Sequence, residues 1–172
     1  MKAFRLKHFF IILSFFMMLS VPILADTESP GSAATDFAAS LYRAGDIPEK
    51  ILNTLHHTIV SGDRDLSAAE MKELLNHARG VIATLDQPFR LTLKNLKWKV
   101  EAQTKKDSIN IRGYFHSLRF FDPEDTVVIL RPLLKEEDKD KLEAINFYAS
   151  KLIFVLRPMD RRYKIIGFSA EL

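Results

Sequence analysis

Between Leu96 and Phe115 the chain alternates apolar and polar residues twice. Leu96, Trp98, Val100 and Ala102 are interleaved with Lys97, Lys99 and Glu101, the period of a strand with one buried face. After the polar Thr104-Lys105-Lys106-Asp107, a second alternation runs through Ile109, Ile111, Gly113 and Phe115. Folding the chain about that polar loop sets Ala102 opposite Ile109, Val100 opposite Ile111, Trp98 opposite Gly113 and Leu96 opposite Phe115. Every apolar residue then meets an apolar residue or glycine on one face. The pattern predicts one long antiparallel hairpin from Leu91 to Phe120, with the Trp98 indole covering the backbone that Gly113 leaves bare. Leu91 and Leu93 sit in the opposite phase, which predicts a bulge or bend near Lys94-Asn95. A second phase change near Ser117-Leu118 makes the expected hairpin strongly curved. Its other face carries Lys97, Lys99, Glu101, Asn110, Arg112, Tyr114 and His116, basic with aromatics interleaved.

The first residues speak to compartment. Lys2, Arg5 and Lys7 precede an uncharged apolar run from Phe9 to Leu24, and Ala25 and Asp26 follow. These are the parts of a secretory signal peptide, with cleavage expected after Ala25. The run is short for a membrane span of about 20 residues, and no later run is long enough to cross a bilayer. The sequence has 25 basic and 22 acidic residues. Removing residues 1–25 takes away three basic residues and no acidic one, leaving 22 of each. The mature chain is then near neutral, and net charge gives a nucleic-acid role no support. There is no cysteine, so disulfides, thiolate metal sites and cysteine nucleophiles are excluded. An exported domain of this length without disulfides relies on its core, which favours a periplasmic location over other secreted ones.

Residues 26–32, DTESPGS, read as a linker, and residues 33–172 as one domain. A helix is expected from about Ala33 to Ala44, stopped by Gly45. A second is expected from a cap at Asp46 to about Val60, with Ile51, Leu52, Leu55 and Ile59 at helical spacing. Ser67 caps a third, and Glu70 completes a capping box. Its apolar face is Met71, Leu74, Leu75, Ala78, Ile82 and Leu85. Beyond the turn at Asp122–Asp125, Thr126 to Leu130 is apolar on both faces and reads as a buried strand. Lys135 to Lys141 reads as a solvated loop or short exposed helix. Ala144 to Leu156 fits helix or strand, and the β-branched and aromatic content favours a strand from about Phe147. A loop at Pro158–Arg161 then leads to its partner, Tyr163 to Ser169. The expected fold is α+β, with about three N-terminal helices packed on a curved antiparallel sheet of four to six strands.

Helices leading into a curved antiparallel sheet resemble the NTF2-like, or cystatin-like, α+β roll. The stretch Phe37-Ala38-Ala39-Ser40-Leu41-Tyr42-Arg43-Ala44-Gly45-Asp46 is similar to the opening of many such domains, where a helix ends in Gly-Asp before the next one. The resemblance implies a sheet wrapped around the helices with a pocket between them. Family members include small enzymes, ligand carriers and non-catalytic assembly domains, so the fold alone does not fix the function.

His56 and His57 are adjacent, which on a helix excludes joint chelation in the i, i+4 manner; His77 also lies off its apolar stripe. No metal triad, P-loop, dinucleotide glycine pattern or Ser-His-Asp order is present, and no cofactor is expected. By the NTF2-like resemblance, His116 with Asp122 or Asp125 is the one candidate acid/base pair. Lys94, Lys97, Lys99 and Arg112, with Tyr114, form a basic face suited to an acidic protein surface or anionic head groups. Trp98, Tyr114, Phe115 and His116 are the candidate lining of a site for an apolar or lipid-like ligand between helices and sheet. The leading expectation is an exported, non-catalytic domain that binds an envelope protein or such a ligand. A small enzyme using His116 and a subunit of an envelope secretion or transport assembly are the alternatives.

Overall fold

A computed structural model describes residues 28–171; the expected signal segment 1–25 and most of the expected linker's first half lie outside them. In order come α1 (Pro30–Leu41), α2 (Glu49–Leu52), β1 (Leu55–Val60), β2 (Asp65–Ser67), α3 (Ala68–Thr84), α4 (Gln87–Lys94), β3 (Lys97–Lys105), β4 (Thr126–Leu133), α5 (Glu136–Ala144), β5 (Lys151–Met159) and β6 (Arg162–Glu171). The strands form one sheet in the order β2-β1-β6-β5-β4-β3. Neighbours are antiparallel except β1 and β6, which run parallel. The fold is therefore α+β, with five helices and a six-stranded mixed sheet among the described residues. The helices are not all N-terminal.

The hairpin between β3 and residues 109–115 does not form. β3 pairs instead with β4, Val100 opposite Leu130 and Ala102 opposite Ile129, around a bulge at Glu101. Both alternatives give Val100 and Ala102 apolar partners, so the side-chain pattern could not separate them. β4 decides the competition because Val127, Val128 and Leu130 are buried on both of its faces, and a strand in that position needs ladder partners on both edges. Thr104 and Lys105 extend β3, and Lys106–Ser108 forms a 3-10 turn rather than a hairpin loop. Trp98 lies opposite Pro132, not Gly113.

Four other expectations are corrected. The predicted helix to Val60 is a four-residue helix followed by β1, because Leu55-His56-His57-Thr58-Ile59-Val60 is β-prone and slots between β2 and β6. Leu91 and Leu93 belong to α4, where Asp86 caps the Phe89 amide at 2.9 Å and Phe89 and Leu93 bury one stripe. The first helix begins at Pro30, inside the expected linker, because the Ser29 hydroxyl accepts from the Ser32 amide and proline suits the first turn. The charged run after Leu134 is α5, anchored by buried Leu142, and the strand expected from Phe147 begins at Lys151. The Ser67/Glu70 capping box is present with both of its bonds.

Helices cover one face of the sheet. Phe37 of α1, fully buried, packs edge-on to Phe154 of β5 at 5.7 Å and at a tilt to Phe168 of β6 at 5.6 Å, centroid to centroid. The opposite face is covered by the irregular segment 106–125. Its Ile111, Phe115 and Phe121 pack on Val60, Val127, Ile153, Val155 and Ile166. A backbone bond from Lys106 to Asp125, 2.8 Å, closes its base. The second alternation thus marks a flap whose apolar side chains face the sheet without joining it.

Candidate functional site

The expected ligand-lining residues divide between the two faces. Trp98 packs on the helical side, its ring 5.5 Å from Tyr42, with its Nε1 buried and without a hydrogen-bond partner. Burial pushes the Tyr42 hydroxyl up to about 12. Tyr114, Phe115 and His116 belong to the flap on the other side, so the four residues line no common pocket. Phe115 is buried against Phe121 at 5.1 Å. The Tyr114 hydroxyl lies 3.4 Å from Glu171.

His116 is exposed at the end of β1. Its Nδ1 lies 3.2 Å from the Ser61 carbonyl and its Nε2 3.4 Å from Asp65. Asp122 and Asp125 take a different partner, Arg157, at 2.9 and 2.7 Å. The acid/base pair expected from resemblance is therefore two separate contacts, each tying the flap to the sheet. No group of three or more potential metal ligands occurs among the described residues.

β3 is the terminal strand of the sheet, and its nine residues are mostly exposed. Trp98 and Gln103 point to the helices, while Lys97, Lys99 and Glu101 point to the flap side, where β4 presents Arg131 and Leu133. Glu101 pairs with Arg131 at 2.6 Å, and Lys151 with Glu171 at 3.2 Å. Arg131, with Lys151 and Lys99 nearby, holds the Glu101 carboxyl below the usual range. Lys97 and Lys99 make no ion pair in this ladder, and Leu133 stands exposed beside them. Arg112 is exposed on the flap rather than on an adjacent strand. Lys97 and Lys99 thus stand exposed on the flap side of the sheet, next to the Glu101–Arg131 and Lys151–Glu171 pairs, which the hairpin register had hidden.

Two recesses on the helical side stand apart from β3. A polar groove of about 1040 Å³ runs between the start of α1, α2 and the β5–β6 turn, lined by Glu28, Lys50, Asn53 and Arg162 among others. A smaller one of about 360 Å³ lies between α1, α3 and α4 and is lined by Arg43, Arg79, Arg90 and Lys94. Sequence reasoning missed the second. Its signal was Arg79, one helical turn after Leu75 on the buried stripe of α3, a position where a charge needs a reason.

Comparison of the chain with protein-family models, characterised proteins and solved structures finds no match in any of the three. No helix among the described residues is long and apolar enough to cross a membrane.

Proposed function

We propose that this chain is an exported, non-catalytic binding domain that takes up an extended acidic segment of an envelope protein along β3. The observation carrying this reading is the outer edge of β3, nine residues long and without a neighbouring strand among the described residues, with Lys97 and Lys99 exposed beside it and in no ion pair among those residues. A terminal strand offers main-chain groups to an added strand, and alternate side chains select it. The lysines bias that choice. A second copy of Lys97–Lys105 would bring lysines together, whereas an acidic strand would pair with them. Val100, 45% exposed, supplies an apolar contact on the helix-side face. An apolar ligand between helices and sheet is less well supported, because Phe37, Phe154 and Phe168 fill that layer. An enzyme using His116 is less well supported, since the half-exposed imidazole is tied to the Ser61 carbonyl and Asp65 and meets neither Asp122 nor Asp125.

Photo-cross-linking in intact cells tests the proposal. A cross-linking residue at Val100 is expected to give one discrete adduct, and one at exposed Lys72 on α3 none. The Lys97→Glu/Lys99→Glu double variant is expected to abolish the adduct without altering the fold. An adduct that survives charge reversal, or none at Val100, overturns the acidic-strand reading.

A further inference from the structure

The recess between the end of α1, α3 and α4 brings together Arg43, Arg79, Arg90 and Lys94, with Gln87 and Leu91 completing its wall. Arg79 is 6% exposed. Its Nε donates to the Gly45 carbonyl at 2.6 Å, its Nη1 to Ser40 at 3.1 Å, and its Nη2 to Ala44 at 3.3 Å and to Asp46. Every one of these partners is a backbone carbonyl at or beyond the end of α1. The guanidinium therefore caps that helix while its charge meets no carboxylate hydrogen bond, and one Nη1 proton is left over. Asp46 is the one acidic side chain whose charge acts on Arg79, against Arg43 acting in the opposite sense. No acidic residue lines the recess. Four cations gathered on a half-enclosed site repel one another, and a multiply charged anion would relieve that repulsion.

We propose that this recess binds a phosphate group. Arg43 and Lys94 reach it from exposed positions, Arg90 from a half-exposed one with its Nη1 also donating to the Ala83 carbonyl at 3.3 Å, and buried Arg79 offers its remaining Nη1 proton. Guanidinium forks suit the tetrahedral oxygens of phosphate. The recess, about 360 Å³ and open to solvent, leaves room beside one phosphate for a further organic part. Leu91, 58% exposed on α4 at the rim, gives that part an apolar contact. Two sources share this chemistry, a free phosphorylated small molecule and the head group of an anionic phospholipid.

The experiment has two arms on the purified protein. Inorganic pyrophosphate is titrated by calorimetry, and vesicles of phosphatidylcholine with or without phosphatidic acid are sedimented with the protein. Binding in the first arm with no vesicle selectivity assigns a free phosphate compound. Selective sedimentation with phosphatidic acid assigns the head group. In either case Arg43→Gln/Lys94→Gln, which alters exposed side chains only, is expected to weaken binding at least about tenfold, while Arg119→Gln, at an exposed flap position outside the recess, leaves it unchanged. Absence of binding in both arms, or equal binding by the Arg43/Lys94 variant, overturns the proposal. Because no β3 residue lines the recess and the acidic-strand test reads a cross-link at Val100, failure here is distinguishable from failure of the acidic-strand reading.

Discussion

Arg157 grips Asp125 with two parallel hydrogen bonds, Nε to Oδ1 at 2.8 Å and Nη2 to Oδ2 at 2.7 Å. The same Nη2 donates to the Phe120 carbonyl at 2.9 Å, and the guanidinium lies over the Phe120 ring at 5.4 Å. Asp125 in turn accepts from the Asp122 amide at 2.7 Å. One strand residue thus holds the end of the flap, and the Asp125 side chain is 2% exposed. Arg157→Leu leaves that carboxylate buried and uncompensated, and such losses cost about 3–5 kcal/mol. Denaturant titration checks this, and limited proteolysis should cut within 106–125 first. The Arg157→Leu/Asp125→Leu double variant is expected to lose less than the two single losses combined.

Gly167 faces the same flap from β6. A Cβ there would stand 2.7 Å from Phe121 Cζ and 3.0 Å from Val155 Cβ. The flap's aromatic plug therefore fits only because position 167 has no side chain. Gly167→Ala must displace the Phe121 ring, and overpacking of this kind costs about 1–3 kcal/mol. Adding Phe121→Leu should recover part of the loss, read as a rise in Tm relative to Gly167→Ala alone. Equal melting of the two variants would mean that the ring moves aside freely.

The α+β class and the pairing of the last two strands were legible in the sequence. The β5–β6 hairpin and the α3 capping box rest on local signals, a loop expected at Pro158–Arg161 and a Ser-x-x-Glu spacing; both features are present, with the turn narrowed to Asp160-Arg161 because Pro158 and Met159 pair within the hairpin. The hairpin of the middle third failed because period-2 alternation reports which side of a residue is buried, not which strand lies beside it. Ile109, Ile111 and Phe115 are buried or half-buried as the alternation requires, yet they cover a sheet face instead of extending it. Of the candidate site, Lys97 and Lys99 were legible as exposed strand residues. Arg131, Lys151 and the recess around Arg79 were not, since each depends on which elements become neighbours across long stretches of chain.

The β5–β6 turn places two non-glycine residues in the left-handed region, Asp160 at φ 49° and Arg161 at φ 66°. A two-residue hairpin turn with both central residues there favours Asn-Gly. A side chain in that conformation costs roughly 1–2 kcal/mol, offset in part by the extra freedom that glycine has when unfolded. Asp160→Asn/Arg161→Gly is expected to raise stability by about 1 kcal/mol. Thermal unfolding measures it, and a lowered Tm would show that Asp160 or Arg161 makes contacts worth more than the relief.

His56 gives the fold a pH dependence whose sign follows from burial. It is a buried residue of β1, its ring centroid 3.9 Å from that of His57 and 5.6 Å from that of Phe120. Desolvation lowers its pKa from 6.5, and His57, Arg157 and Lys164 add like-charge repulsion, while the bond to the Thr58 backbone works the other way. The folded state thus binds the proton less readily than the unfolded chain. Its contribution is fully present above the unfolded value near 6.5 and is lost as pH falls from there through the lowered folded value. Stability should therefore drop between about pH 7.5 and about pH 5 by more in the wild-type chain than in His56→Gln, which has nothing to protonate at that position. Parallel denaturant titrations of the two proteins at both pH values isolate the effect. Identical acid sensitivity would place the titrating group elsewhere.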